Sequence, residues 1–407
     1  MRRTPGIIAG NLLPGLMLLI LAVAPTQWSL PLPGKFHLTL SDLLLLAAVP
    51  VGLVAGLRLR HLSFAHLLFL GFAALSALFA PDSRAAVKEL IQLALYFGAG
   101  TLLAGSALKF SGQRGLLMAI WTVLGVGALI VGLALWQYWR GPFDDPLTVR
   151  GSFGNRNVLG GYLALLLPLA FGLMLWTRSI ALRLGLGLLV LGGLSVCLSG
   201  AALLAITLAL LALAARRGAA WLAGAGLVLM LGFTLLMPLM PRANDAEAFN
   251  SMALYDAAGQ PNRRYPEWQA ATVMALERPW IGMGLGCYQK QIGPFYGVVP
   301  NATGPAEPDI QNLYLVLAAS AGIPACMAFL LMLWGGMSDA AGRNPKPKSA
   351  RAEVLPGLDA GIAGALGAFA LSAVWHPLLV RGLGLPLALL LAAARYRKTI
   401  YEPTCTS

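Results

Sequence analysis

Arginines and asparagines placed between long apolar runs offer the first chemistry in this chain. Arg150, Arg156, Arg263, Arg264, Arg278, Lys290 and Arg381 all stand in such polar segments. A guanidinium fork matches phosphate oxygens bidentately, so these residues suit an anion site, and contact with water or lipid headgroups is their other use. Asn155 and Asn157 precede an apolar run beginning near Val158, where an asparagine caps a helix and can also face a ligand. Glu307, Asp309 and His376 are titratable groups beside run ends, and Trp375-His376-Pro377 has the look of an interfacial belt as well as of a proton acceptor. Gly282-x-Gly284-x-Gly286 has glycine spacing but no strand–helix setting, so it is not a nucleotide loop. The chain has 4 cysteines and 4 histidines, none at metal-ligand spacing, so no metal, no cofactor and no disulfide framework are expected.

The elements that must position these residues are membrane spans. Hydrophobic residues make up 58% of the 407 residues and charged residues 11%, which excludes a soluble enzyme and a disordered chain. The net charge of +13 comes in short clusters between apolar runs, so no nucleic-acid partner is expected. The runs predict an all-α polytopic membrane protein of about twelve transmembrane helices. Their ranges are 6–24, 39–57, 62–80, 87–107, 116–138, 157–176, 181–198, 201–215, 219–240, 310–336, 354–374 and 377–394. The first run follows Met1-Arg2-Arg3; it reads as a span, with a cleaved signal peptide ending at Ala22-Val23-Ala24 as the alternative.

Lysine and arginine collect in alternate connections, from Arg58 and Arg60 through Arg216 and Arg217 to Arg395, Arg397 and Lys398. Cytoplasmic loops carry such an excess, which predicts both termini in the cytoplasm and a bacterial inner-membrane location. Most of the acidic residues fall in the other connections, from Asp82 through Asp144 and Asp145 to Asp309. The longest of these, 241–309, is predicted to be a large outer, periplasmic loop between the ninth and tenth helices. A helical part is expected over Tyr265–Leu276, and loops of this length are usually functional. The whole chain, 1–407, is expected to form a single integral membrane domain.

Four segments resemble the O-antigen ligase and polymerase superfamily, in its order. Arg150-Gly-Ser-Phe-Gly-Asn155-Arg-Asn157-Val-Leu-Gly-Gly-Tyr is similar to its Gly-Asn-Pro-Asn signature. Arg264-Tyr265-Pro266-Glu267-Trp268 followed by Ala270 and Ala271 is similar to an arginine–tryptophan element. Arg278-Pro-Trp-Ile-Gly282-Met-Gly284-Leu-Gly286 and Asn312-Leu-Tyr314-Leu through Gly322-Ile-Pro324 are similar to two further elements. The motifs span roughly 135–335, and the predicted topology resembles the family's over the whole chain.

The resemblance implies an inner-membrane glycosyltransferase that needs neither metal nor nucleotide sugar. It would move a glycan from an undecaprenyl-pyrophosphate carrier to an acceptor sugar of a glycan or glycolipid on the periplasmic face, in polysaccharide or lipopolysaccharide assembly. Membrane lipid would surround it. On the donor side the resemblance implies Arg264, with Arg263, Arg150, Asn155 and Asn157 lining the same cavity; on the acceptor side it implies Gln311, Asn312, Tyr314 and Trp268. Two family features are missing: Gly200 stands where the ligases have an arginine, and Gln311 where they have a histidine base. Asp309 and His376 are the candidate replacement bases. A transporter and a non-catalytic binder of lipid-linked glycan stay open as alternatives.

Overall fold

The computed structural model describes residues 5–32, 36–140, 149–218, 264–298, 310–341, 354–380 and 382–401. Helix α1 (Pro5–Val23) leads through a short hairpin, β1 (Ser29–Leu32) and β2 (Phe36–Thr39), into α2 (Leu40–Val54). The hairpin departs from the purely helical expectation. Its strands pair antiparallel with Ser29 opposite Thr39, and the segment carries no helical run to compete. Thr39 then caps α2 in a reciprocal box with Asp42, and Tyr96 donates a hydrogen bond to the Asp42 carboxylate at 3.0 Å.

α3 (Phe64–Leu78) turns sharply into α4 (Ser83–Leu93), which continues through a π-helical segment, Ala94–Gly100, into α5 (Thr101–Arg140). Gly112, with φ 64 and ψ −152, breaks α5 near the boundary expected between two spans. α6 (Arg156–Trp176), α7 (Ile180–Ser195) and α8 (Gly200–Arg216) follow as an antiparallel set. The expected span over 219–240 lies outside the described residues.

After α9 (Arg264–Glu277) and the short α10 (Tyr288–Gln291) come α11 (Leu313–Ala321), α12 (Ile323–Ala341), α13 (Val354–Ser372) and α14 (Gly384–Tyr401). Two expectations are corrected here. The span predicted over 310–336 is broken into α11 and α12 at Gly322, whose φ of 92 is a left-handed conformation and whose Cα faces the Trp280 carbonyl. The last helix begins at Gly384 rather than 377, because Pro377 supplies no N–H and Gly382 has φ 88. The freed stretch between α13 and α14 carries His376.

Five helical stretches are long and apolar enough to cross a membrane: Gly6–Thr26, Ser83–Arg140, Arg156–Trp176, Ile323–Ala341 and Leu355–Ser372. Four shorter apolar helices accompany them. Leu78, Leu129 and Leu188 point outward at 70% exposure or more, a surface that suits lipid tails. Lipid is as apolar as leucine, so helix association there rests on close packing. The crossing of α6 and α13 shows it: a Cβ at Gly172 would lie 2.5 Å from the Gly357 carbonyl and 2.7 Å from Gly361 Cα.

Candidate functional site

The site is built where backbone leaves regular structure. The loop after α9 runs through Met283 and Gly284 and hydrogen-bonds to the end of α11: Met283 N donates to the Ala319 carbonyl at 2.8 Å and Gly284 N to that of Ser320 at 3.1 Å. Ser76 of α3 donates to the same Ser320 carbonyl at 2.8 Å. Carbonyls that the broken helix leaves without a helical partner are thus satisfied from two directions. Gly284 has φ 105, and a Cβ there would meet Ala80 Cα at 2.7 Å, so only glycine lets the loop lie against the α3–α4 turn.

That turn is anchored again. Asp82 caps α4 by accepting from Ala85 N at 3.1 Å and pairs with Lys290 at 2.6 Å. The hydrogen bond and charge of Lys290, with the cap, hold the Asp82 carboxyl below its ordinary range. At the other end of α4, Gln92 donates to the Leu379 carbonyl at 3.4 Å, tying the helix to the His376 segment.

His376 is almost wholly buried, and its Nε2 shares a 2.9 Å hydrogen bond with Ser199 Oγ at the start of α8. Its Nδ1 is enclosed and has no hydrogen-bond partner among the described residues. Burial, reinforced by the Arg264 and Arg156 charges, pushes the imidazole down to about 3, so the ring is neutral. Leu313 N donates to the Ala373 carbonyl at 2.9 Å, which fixes this segment against the start of α11.

These pieces surround a cavity of about 610 Å³. Polar groups reach it from four directions: Lys88, Glu89 and Gln92 from α4; Asn155 and Asn157 from the start of α6; Tyr288 and Gln289 from α10; Gln311 and His376 from the segments before α11 and after α13. Leu313, Leu317 and Leu378 add an apolar wall.

Of the residues expected from sequence, Asn155, Asn157, Gln311 and His376 line this cavity together. Asn155 also caps α6, accepting from Val158 N at 2.9 Å. Arg264, at the start of α9, is close enough for its charge to bear on His376 but is not a lining residue. Arg150 is exposed and folds back on its own loop, donating to the Gly154 carbonyl at 3.5 Å. Asn312 is buried as the cap of α11, accepting from Tyr314 N and Leu315 N at 3.0 and 3.1 Å. Tyr314 donates its hydroxyl to the Ala370 carbonyl at 2.6 Å, a pin between α11 and α13. Trp268 packs against the small core of Met274, Met283 and Ile292, and its ring centroid lies 5.5 Å from that of Tyr265. Arg263 and Asp309 lie outside the described residues.

Sequence reasoning missed Lys88, Glu89 and Gln92, which fell inside a predicted apolar span. The signal was there: Arg84, Lys88 and Gln92 recur every four residues, the spacing of one helix face. It also missed Ser199 as the partner of His376, which no local pattern announces.

Residues 180–330 match the O-antigen ligase family (Wzy_C). The match takes in the arginine–tryptophan element, the glycine loop and the α11–α12 element, and it begins after the Asn155/Asn157 motif. It bears out the resemblance to that superfamily and supports, at family level, an O-antigen ligase-like glycan transferase that handles a lipid-linked glycan and an acceptor. Curated proteins give no match to the chain.

Proposed function

We propose that this protein is a ligase-like or polymerase-like glycosyltransferase. In this reading it moves a glycan from an undecaprenyl-pyrophosphate carrier to an acceptor sugar hydroxyl on the periplasmic face of a bacterial inner membrane. Both termini are cytoplasmic, and the large loop between the ninth and tenth spans is outside. The observation that carries this reading is the cavity itself. It has a polar lining and an apolar wall, and two guanidinium charges bear on one of its sides.

The acceptor oxygen attacks the anomeric carbon, the bond from that carbon to the phosphate oxygen breaks, and the electron pair leaves on the pyrophosphate. A phosphate leaving group needs charge stabilisation more than protonation. Arg264 supplies that charge, with Arg263, Arg150, Asn155 and Asn157 on the donor side. Gln311, Asn312, Tyr314 and Trp268 shape the acceptor side, two of them through the fixed α11 start and its pin to α13. The acceptor proton passes to a base, for which Asp309 and His376 are candidates. Bound pyrophosphate would offset the arginine charges and make the His376 imidazole a better proton acceptor.

The direct test is release of undecaprenyl pyrophosphate from a lipid-linked oligosaccharide by purified protein, wild type beside Arg264→Ala. Release that the substitution abolishes in a folded protein is the expected result. Normal release by Arg264→Ala would sink the assignment. A second reading, binding of the donor without turnover, is favoured by Gln311, because a glutamine amide accepts no proton in this range. Donor binding with no release by the wild type would establish it.

A further inference from the structure

The cavity holds a carboxylate that the motifs do not predict. Glu89 is half-buried on α4 and lines the cavity beside Lys88 and Gln92. Among the described residues lining the cavity it is the one carboxylate. An ionisable side chain on a helix that continues into a membrane-length apolar stretch is costly to keep, and such residues are a mark of function.

Its helix is held at both ends. The Asp82–Lys290 pair fixes the N-terminal turn at 2.6 Å, and Gln92 reaches the His376 segment from the last turn. A group that must meet a reacting hydroxyl in one geometry benefits from such a rigid support. The competing base on the same wall is poorly placed: His376 already uses Nε2 with Ser199, and its Nδ1 is enclosed. Gln311 stands where the resemblance implies a histidine base, and a glutamine amide cannot serve. A carboxylate, by contrast, is a group whose oxygens can take a proton.

On the glycan-transfer reading above, we propose that Glu89 is the general base of this protein. Its carboxylate takes the proton of the acceptor hydroxyl as the oxygen bonds to the anomeric carbon and the pyrophosphate departs with the electron pair. This places the base on α4, lining the same cavity as Gln311. Lys88, Tyr288 and His376 are the other titratable groups lining the cavity, and the Arg156 and Arg264 charges lie near its His376 side.

The test follows acceptor-dependent release from a lipid-linked oligosaccharide by wild type, Glu89→Gln, Glu89→Asp and Glu89→Ala, with donor binding measured in parallel. Glu89→Gln should lose about 100- to 10,000-fold in transfer rate while binding donor as before. Glu89→Asp, which keeps the charge, should retain part of the activity. Added formate should restore turnover to Glu89→Ala, a rescue that a merely structural role would not give. Unchanged transfer by Glu89→Gln in an active background overturns Glu89 alone. So does a loss of donor binding matching the loss of transfer. A wild type that releases nothing overturns the transferase reading, and the base with it.

Discussion

At one end of α13, Asp359 meets Arg397 of α14 in two parallel hydrogen bonds of 2.8 and 2.7 Å, with both side chains at most 1% exposed. Past the other end, His376 shares one nitrogen with Ser199 and stands in the wall of an open cavity. The first is a closed arrangement: fork against carboxylate, each charge answering the other. In the second, Lys88 of α4 lines the cavity, and the charges of Arg156 on α6 and Arg264 on α9 bear on the neutral ring of His376. Buried charge that is answered within the fold holds helices together.

The largest effect should come from opening the closed end. Asp359→Ala leaves a buried guanidinium without its carboxylate and should cost about 3–5 kcal/mol, read as a steep fall in thermal stability in detergent. A variant that melts like wild type would mean the two ends are not distinct in kind. Arg264→Ala should do the reverse: transfer falls by about 100- to 1,000-fold with the melt unchanged.

Acid sharpens the contrast next. The folded protein holds His376 neutral down to about 3, whereas the unfolded chain protonates it below 6.5. Stability should therefore be intact above 6.5 and decline as pH falls toward 3, by about 2 kcal/mol at pH 5 from this group alone. His376→Gln should flatten that part of the pH profile; an unchanged profile would show that the ring is not held neutral. The smallest effect belongs to Asn312→Ala, which removes the cap of α11 and should cost about 1 kcal/mol. A far larger loss of transfer than of stability would reassign Asn312 from capping to ligand contact.

The fold was legible where one apolar run makes one helix. α6, α7 and α8 fall within a residue or a few of their expected ranges, because Asn155 and Ser179 announce helix starts and each run is bounded by polar residues. It was not legible where backbone irregularity is fixed by neighbours. The break at Gly322 depends on Trp280 and Ile281 packing against it, from a loop well before it in sequence order. The late start of α14 likewise depends on Gly382 lying against Phe153 and Gln27. Half of the site followed the same division. Asn155, Asn157 and Gln311 could be found from motifs, while the Ser199–His376 contact joins residues 177 apart. Lys88 and Glu89 were hidden by the apolar stretch that follows them, although their helix has its own polar face.

The π-helical segment Ala94–Gly100 has a further consequence for how this chain can vary. A π turn holds one residue more than an α turn. It therefore sets the phase between α4, which faces the cavity, and α5, which packs against α1 and α14. Removing a single residue from 94–100 would restore α geometry and swing Lys88, Glu89 and Gln92 by about 100° around their axis, away from the cavity. The reading frame of the site's α4 wall is thus held by one inserted residue. Substitutions on either side of it leave that frame intact, but a one-residue deletion erases the wall while keeping Lys88, Glu89 and Gln92 in the sequence.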